Sequence, residues 1–292
     1  EALGDSAQEG FYLLESPEYS NPADRAAAGF YITNGNNHVI GNAAAGGFAG
    51  YSLPNLPQAL NGSAQRILPY HYGAAHFDGN SAHSAGYFWH EAGCVYAGGV
   101  LQTVDVGGVP TLQYQSGRPS WDRQRQGLDV FSNTKTFLCT VGITHWGRAS
   151  RVTNLETHDS HLMAKLFGSA SIQGAVFSGQ SPHTSALTFD WRMGMYRRGF
   201  QFYDTGTQTV LRDIVFRDIH PHPQAGGQPA DDNCALYTMT HSDQFTPQFM
   251  NVTAGLHFVN VDESQRFCHN NSGTLSARNF NLLDTDGSAT AL

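Results

Sequence analysis

Apolar residues in this chain come in very short runs that stop at glycine or asparagine. Residues 30–33 (Phe-Tyr-Ile-Thr) and 38–40 (His-Val-Ile) are two such runs, with Asn34-Gly-Asn-Asn37 between them and Gly41-Asn42 after the second. A third run begins near Tyr51. Asn and Gly tolerate the left-handed backbone that a sharp corner demands. Strands of about four residues with such corners are too short for an ordinary sandwich. They suit one coil of a solenoid, in which each coil pairs with the next. Similar β-type runs recur at residues 171–177, 210–216, 255–261 and 274–280, each rich in branched or aromatic residues and ending near Gly, Asn or Asp. Helical periodicity is nearly absent. Residues 148–167 carry spaced apolar positions, but Thr153-Asn154 and His158-Asp-Ser-His161 interrupt them. The pattern predicts an all-β chain, a right-handed parallel β-helix (β-solenoid) with loop insertions. Coils of roughly 20–30 residues would give on the order of ten turns.

Three polar or proline-rich stretches break the repeat: residues 53–70, 107–126 and 220–232. We expect loops thrown out from corners, the usual binding face of a solenoid. Strand patterns resume after each, so residues 1–292 read as a single domain. We expect both ends to be cuts through a longer protein, or the ends of a processed product. Composition fits this reading. Glycine is abundant (32 residues) and charged residues make up 14%, against about 25% in typical domains. Only Lys135 and Lys165 are lysines. A net charge of -8 without a basic stripe argues against nucleic acid as a partner. No apolar run approaches the ~20 residues that span a bilayer.

Cys94, Cys139, Cys234 and Cys268 include no C-x-x-C pair, which disfavours structural zinc. Four cysteines allow three pairings. Coil spacing favours Cys94–Cys139 and Cys234–Cys268, and four buried thiols are the alternative. Sequons at Asn61, Asn251 and Asn270 together with the even cysteine count point to a secreted, glycosylated, extracellular or cell-surface protein.

A longer series of segments runs in order along the chain: Gly10-Phe-Tyr-Leu-Leu14, Phe30-Tyr-Ile-Thr-Asn-Gly-Asn-Asn37, Asn42-Ala-Ala-Ala-Gly-Gly47, Gly50-Tyr51 and Phe77-Asp-Gly-Asn-Ser-Ala-His-Ser84. It continues with Thr144-His-Trp-Gly147, Val152-Thr-Asn154, Asp159, Gly199-Phe-Gln-Phe-Tyr-Asp204, Ile214-Val-Phe216 and Asn281-Leu-Leu-Asp-Thr-Asp-Gly-Ser288. The series resembles the parallel β-helix region of the fibrocystin-like and cell-surface hyaluronidase (cell-migration-inducing hyaluronidase) family of large extracellular proteins. The chain departs from it at Gly35, where proline is common, and at Ser52-Leu53, where an aromatic residue is usual. The glycine-rich domain that precedes the helix in that family is not found within these residues. The resemblance implies an extracellular setting and allows a polysaccharide-degrading activity.

Candidate chemistry is sparse. His145, His158, Asp159 and His161 lie close in sequence around Arg148 and are the acid–base candidates. Successive strand residues face opposite sides, so Asp159 does not share a face with both His158 and Ser160. Outward-pointing, solvated side chains are the plainer expectation. Asp284-Thr-Asp286-Gly lacks both the partner motifs of pectin-type hydrolases and the later ligands of a calcium loop, and reads as a tight turn. Asn80 and His83 read as structural residues of a coil interior or corner, and stacked Asn side chains satisfy corner backbone groups. His220, His222 and Asp231 fall in a proline-rich loop. Trp89, Trp121, Trp146 and Trp191 are candidates for stacking on sugars, with burial in the core as the alternative.

The sequence therefore favours a structural or adhesive β-helix section of a large surface or filament glycoprotein. Its partners would be extracellular glycans, other surface proteins or further copies in a filament. No cofactor or metal is expected. The alternatives are a glycan-cleaving hydrolase or lyase and a protein-binding module.

Overall fold

In a computed structural model, the protein is described over residues 27–58, 67–86, 92–115, 125–181, 197–203, 206–220, 233–238, 250–269 and 281–290. Among the described residues nineteen strands join in one continuous sheet, and two more form a separate pair. Every pairing in the large sheet is parallel, so the chain is a parallel β-helix. Its rungs have three faces. The first face is built by Ala28–Tyr31, Ala49–Ser52, Gly93–Ala97, the first halves of Val141–Thr153 and Leu162–Gln173, then Arg198–Phe202, Cys234–Thr238 and Phe267–His269. The second is built by His38–Ile40, His76–Asp78, Arg125–Ser132, the later halves of those two long strands, the starts of Thr209–Ile219 and Met250–Val261, and Asn281–Asp284. The third runs from Ala43–Ala45 through Ser81–His83, Lys135–Phe137, Glu156–His158 and Val176–Ser178 to the ends of Thr209–Ile219 and Met250–Val261.

The first face names eight strands, hence eight rungs among the described residues rather than about ten. Inserted segments account for the difference. Equivalent residues lie 21 apart where nothing is inserted (Thr136 to Thr157) and 54 apart where two segments are (Gly86 to Thr140).

The corner between the second and third faces is tight in every rung. Gly41, Gly79, Asn133, Asn154, Gly174, Asp213, Gly255 and Gly287 occupy it in turn, all left-handed, with φ between 51° and 73°. The N–H groups of Gly41, Gly79, Asn133, Asn154 and Gly174 donate to carbonyls of the next rung, as from Gly79 to Ser132 and from Asn133 to Thr153, and that of Gly255 donates to the Asp286 carboxylate at 2.7 Å. Side-chain amides run beside them. Asn154 Nδ2 donates to Asn133 Oδ1 at 3.0 Å, and Asn133 Nδ2 donates to Asp78 Oδ1 at 2.7 Å. Asn80 accepts from the Asn42 N–H and donates to the Val39 carbonyl, the corner role expected of it.

Inward residues stack like on like, a consequence of the fixed register. Phe77 meets Phe131, and Phe177, Phe216 and Phe258 form a column. Thr136 and Thr157 share a buried hydrogen bond of 2.9 Å. Disulfides join Cys94 to Cys139 and Cys234 to Cys268, the favoured pairing. One closes the third rung on itself, and the other links the first-face strands of the last two rungs.

Several sequence expectations are corrected. Residues 171–177 are not one strand, because Gly174 at φ 70° turns the chain from the second face to the third. Residues 107–126 are not simply a loop. Val100–Val106 and Val109–Gln115 form an antiparallel hairpin across Gly107-Gly108, and Asp105 accepts the Gly108 N–H at 2.7 Å. Both turn glycines have positive φ, as a two-residue primed turn requires. The alanine strand Ala43–Ala45 carries no branched residue to announce it. Residues 274–280 lie outside the described residues.

Candidate functional site

Insertions flank one face only. Segments 53–75, 98–124, 203–208, 239–249 and 270–280 leave the chain between the first and second faces. Segments 84–92, 179–197, 220–233 and 262–266 leave it between the third and first. The first face is therefore bordered by inserted chain on both sides.

Strand alternation decides what that face presents. Val95, Ile143, Ala164, Phe200 and Leu236 point into the main core. Their neighbours Tyr96, Thr144, Lys165, Gln201 and Tyr237 point the other way and fall in register as one outward row. The row is nevertheless covered: Thr144 is 0%, Lys165 3%, Gln201 4% and Tyr237 2% exposed. Towards the first rungs the cover is apolar. Tyr96, Trp146 and Phe167 pack there with Leu56, and with Leu101 and Tyr114 from the hairpin.

Towards the later rungs the row is polar and cationic. The Lys165 ammonium lies 5.0 Å from the Trp146 ring centre and 5.7 Å from that of Tyr203. The two rings meet edge to face at 5.0 Å. The Arg198 guanidinium stacks 3.8 Å over Tyr237. Burial, and then the positive field of Arg198, pull the Lys165 amine down to about 7. Of the residues gathered here, sequence reading proposed only Trp146 as a binding residue. The available signal was a lone lysine in the apolar run Leu162-Met-Ala-Lys-Leu-Phe167.

The acid–base candidates do not converge. His145 points inward and is fully buried, not solvated. Its Nε2 lies 2.9 Å from Asp129 Oδ2. Arg125 donates to both oxygens of the same carboxylate through Nε and Nη2 at 2.9–3.1 Å. Burial pushes the Asp129 carboxyl up, but Arg125 and His145 outweigh it and hold the group well below the usual carboxylate range. The cluster clamps an inserted segment. Asp129 Oδ1 also accepts the Ala74 N–H at 2.7 Å, and Arg125 Nη2 donates to the Tyr72 carbonyl. Gly35 belongs to the same seat, since a Cβ there would lie 2.5 Å from the Tyr72 oxygen. That contact is a physical reason for glycine at this departure from the family pattern.

His158 lies on the outside of the third face, 3.9 Å from Glu156. Asp159 is a left-handed corner residue at φ 52°, and its Oδ1 accepts the Ser181 N–H at 2.7 Å. His161 is half-buried and opens the next rung, where its carbonyl accepts from Arg198. Asp284 and Asp286 are tied into a turn, accepting from Ala289, Thr290, Ser288 and Gly255. His83 stacks on Phe137 at 4.6 Å. Among the described residues no three His, Cys, Asp or Glu side chains gather as metal ligands, and no helix is long and apolar enough to cross a membrane.

Two further expectations change. Trp146 is 3% exposed, because the outside of the first face is covered, so it is not an open sugar platform. Asn251 is 1% exposed and its Oδ1 accepts the Thr209 N–H at 2.9 Å, so in the folded coil it is a stacking residue and not an open glycan acceptor. Asn61, Asn270, Trp89, Trp121, Trp191, His222 and Asp231 lie outside the described residues.

Comparison with known proteins follows the same lines. Residues 8–89 match the family model of the CEMIP β-helix. Two G8 domain-containing proteins of Dictyostelium discoideum are 39% identical over 293 residues and 40% identical over 288, covering 97% and 96% of this chain. Communication mutant protein F of the same organism is 37% identical over 298 residues, covering 98% of this chain. The chain spans 19%, 25% and 26% of the length of these three relatives.

Proposed function

The chain is a CEMIP-like β-helix region, and from that premise we propose that it serves as an extracellular structural or adhesive section of a larger surface or filament glycoprotein. In this reading its 292 residues act as one rigid domain. They carry inserted segments along one face, towards extracellular glycans, other surface proteins or further copies of the protein. The observation that carries the reading is the placement of every insertion beside the first face while the opposite corner stays tight through all rungs. Two disulfides support an oxidising compartment. The dispersal of His145, His158 and Asp159 across inside, outside and corner supports a non-catalytic role. The test is binding of the full-length protein to a glycan array and to cell surfaces, with and without the hairpin at residues 100–115. Binding lost with the hairpin while the fold persists is the expected outcome. Efficient glycan depolymerisation by the purified protein would overturn the reading.

A second reading, a glycan-cleaving hydrolase or lyase, is favoured by one observation: Lys165, its amine pulled down to about 7, stands beside Arg198 and the rings of Trp146 and Tyr203 on the insertion-flanked face. It predicts turnover of a glycan that disappears in Lys165→Met. Replacing His145 would not discriminate between the readings, because the loss of a fully buried partner of Asp129 damages the fold directly.

A further inference from the structure

Two histidines on the second face form a pair that neither reading uses. His38 and His76 are register partners on the strands His38–Ile40 and His76–Asp78. Val39 and Phe77, which follow them, pack on the core, so both imidazoles stand on the outer side of the sheet. Both residues are exposed. Their ring centres lie 4.1 Å apart, with the planes tilted by 20°. Among the described residues neither ring has a hydrogen-bond or ion-pair partner. Other histidines of the coil are engaged. His83 stacks on Phe137 and meets the Ser84 hydroxyl, and His145 is bound to Asp129. The charge around the pair suits a cation. Asp78 follows His76 by two residues on the same outer side, where its carboxylate accepts from Asn133. One rung on, the histidine row continues at Val130, and its first cationic member, Arg151, comes a rung later.

We propose that His38 and His76 form a binding site for a divalent transition-metal ion of the zinc, copper and nickel class. One nitrogen of each ring holds the ion, and water fills the remaining positions. Imidazole nitrogen is a preferred donor for these ions. Two metal–nitrogen bonds of about 2.0–2.1 Å at a tetrahedral angle set the nitrogens about 3.3 Å apart. Rings already packed at 4.1 Å reach that separation by turning about χ2, a soft torsion that exposed side chains adjust freely. The paired strands fix the spacing of the two Cα atoms, so binding orders little besides the rings. The bound ion joins the first rung to the second from outside the core. Among the described residues the strand His38–Ile40 pairs on one side alone. The site therefore fastens an end strand, where a stack of rungs opens first. An ion that binds the folded pair and not the unfolded chain stabilises that end by mass action.

The test is calorimetric titration of the intact, chelator-treated protein with Zn2+ at pH 7.5, for wild type and for His38→Ala and His76→Ala. Both side chains are exposed, so neither substitution opens the core. Each is expected to weaken the site by at least about tenfold, since loss of a mere outer-shell partner already costs that much. His83→Ala is the control and is expected to leave it unchanged. Electron paramagnetic resonance of the protein with one equivalent of Cu2+ is expected to show two coupled imidazole nitrogens in wild type and one in each single variant. Zn2+ is further expected to raise hydrogen-exchange protection across His38–Ile40 in wild type and not in the variants, an effect that scattered surface binding would not produce. Zn2+ affinity and stoichiometry unchanged in both variants overturn the proposal. So does a wild-type protein that takes up no Zn2+, or a Cu2+ spectrum that both substitutions leave as it was.

Discussion

Two buried charges give pH signatures of the same sign in different pH windows. Asp129 titrates lower in the folded chain than in the unfolded one, so the unfolded state binds more protons at acid pH. The contribution of Asp129 is therefore present above its ordinary value of about 3.9 and is lost as pH falls below it. Lys165 is shifted down as well, but as a base. Between about 7 and its ordinary value the unfolded chain again holds more protons, so stability rises with pH across that window. Urea unfolding of wild type and Lys165→Met checks this: the alkaline rise is expected in the first and absent in the second. Asp129→Ala strands Arg125 and His145 without their carboxylate in a fully buried site and is expected to cost about 3–5 kcal/mol. Neither site was legible in the sequence, because its members meet through rung register rather than spacing. Asp129 and His145 are 16 residues apart and touch only because Asp129 lies one rung from the strand that begins with Val141. The lone lysine at position 165 was visible, but not that its face is covered.

At the scale of the strand and corner, legibility was higher. Corners in the left-handed region admit few residue types, and Gly41, Gly79, Asn133, Asn154 and Gly174 advertise them. Corners built on Leu138 and Ser84, at φ 55°, announce nothing. The hairpin escaped notice because proline and glutamine around residues 110–126 masked a Val-Gly-Gly-Val turn. Gly174→Ala tests the corner account directly. It places a Cβ 2.8 Å from Asn154 Oδ1 on a backbone at φ 70°, and a loss of about 1–2 kcal/mol is expected in thermal or chemical melts. Removing the Cys94–Cys139 bridge frees a loop with a separation of 45 residues. The chain-entropy account gives about 4 kcal/mol for that closure, readable as a lower melting temperature in the double serine variant.

The stack of strands is quasi-one-dimensional, since among the described residues the strands of each rung pair only with those of the adjacent rungs. Native-state hydrogen exchange should therefore show amide protection highest in the middle rungs, such as Phe131, Val152 and Ile172, and declining towards Ala28–Tyr31 and Asn281–Asp284. Uniform protection along the stack would contradict nearest-neighbour coupling. The tight corner between the second and third faces carries one more consequence. Residues there are stitched rung to rung with no slack, so a single added residue would shift every later side chain out of line with its neighbour above. Where another corner already carries an inserted segment, the same addition merely lengthens a flap. Variation in this molecule is thus channelled to one side, with a spine that tolerates almost no edits behind a margin that can be rewritten freely.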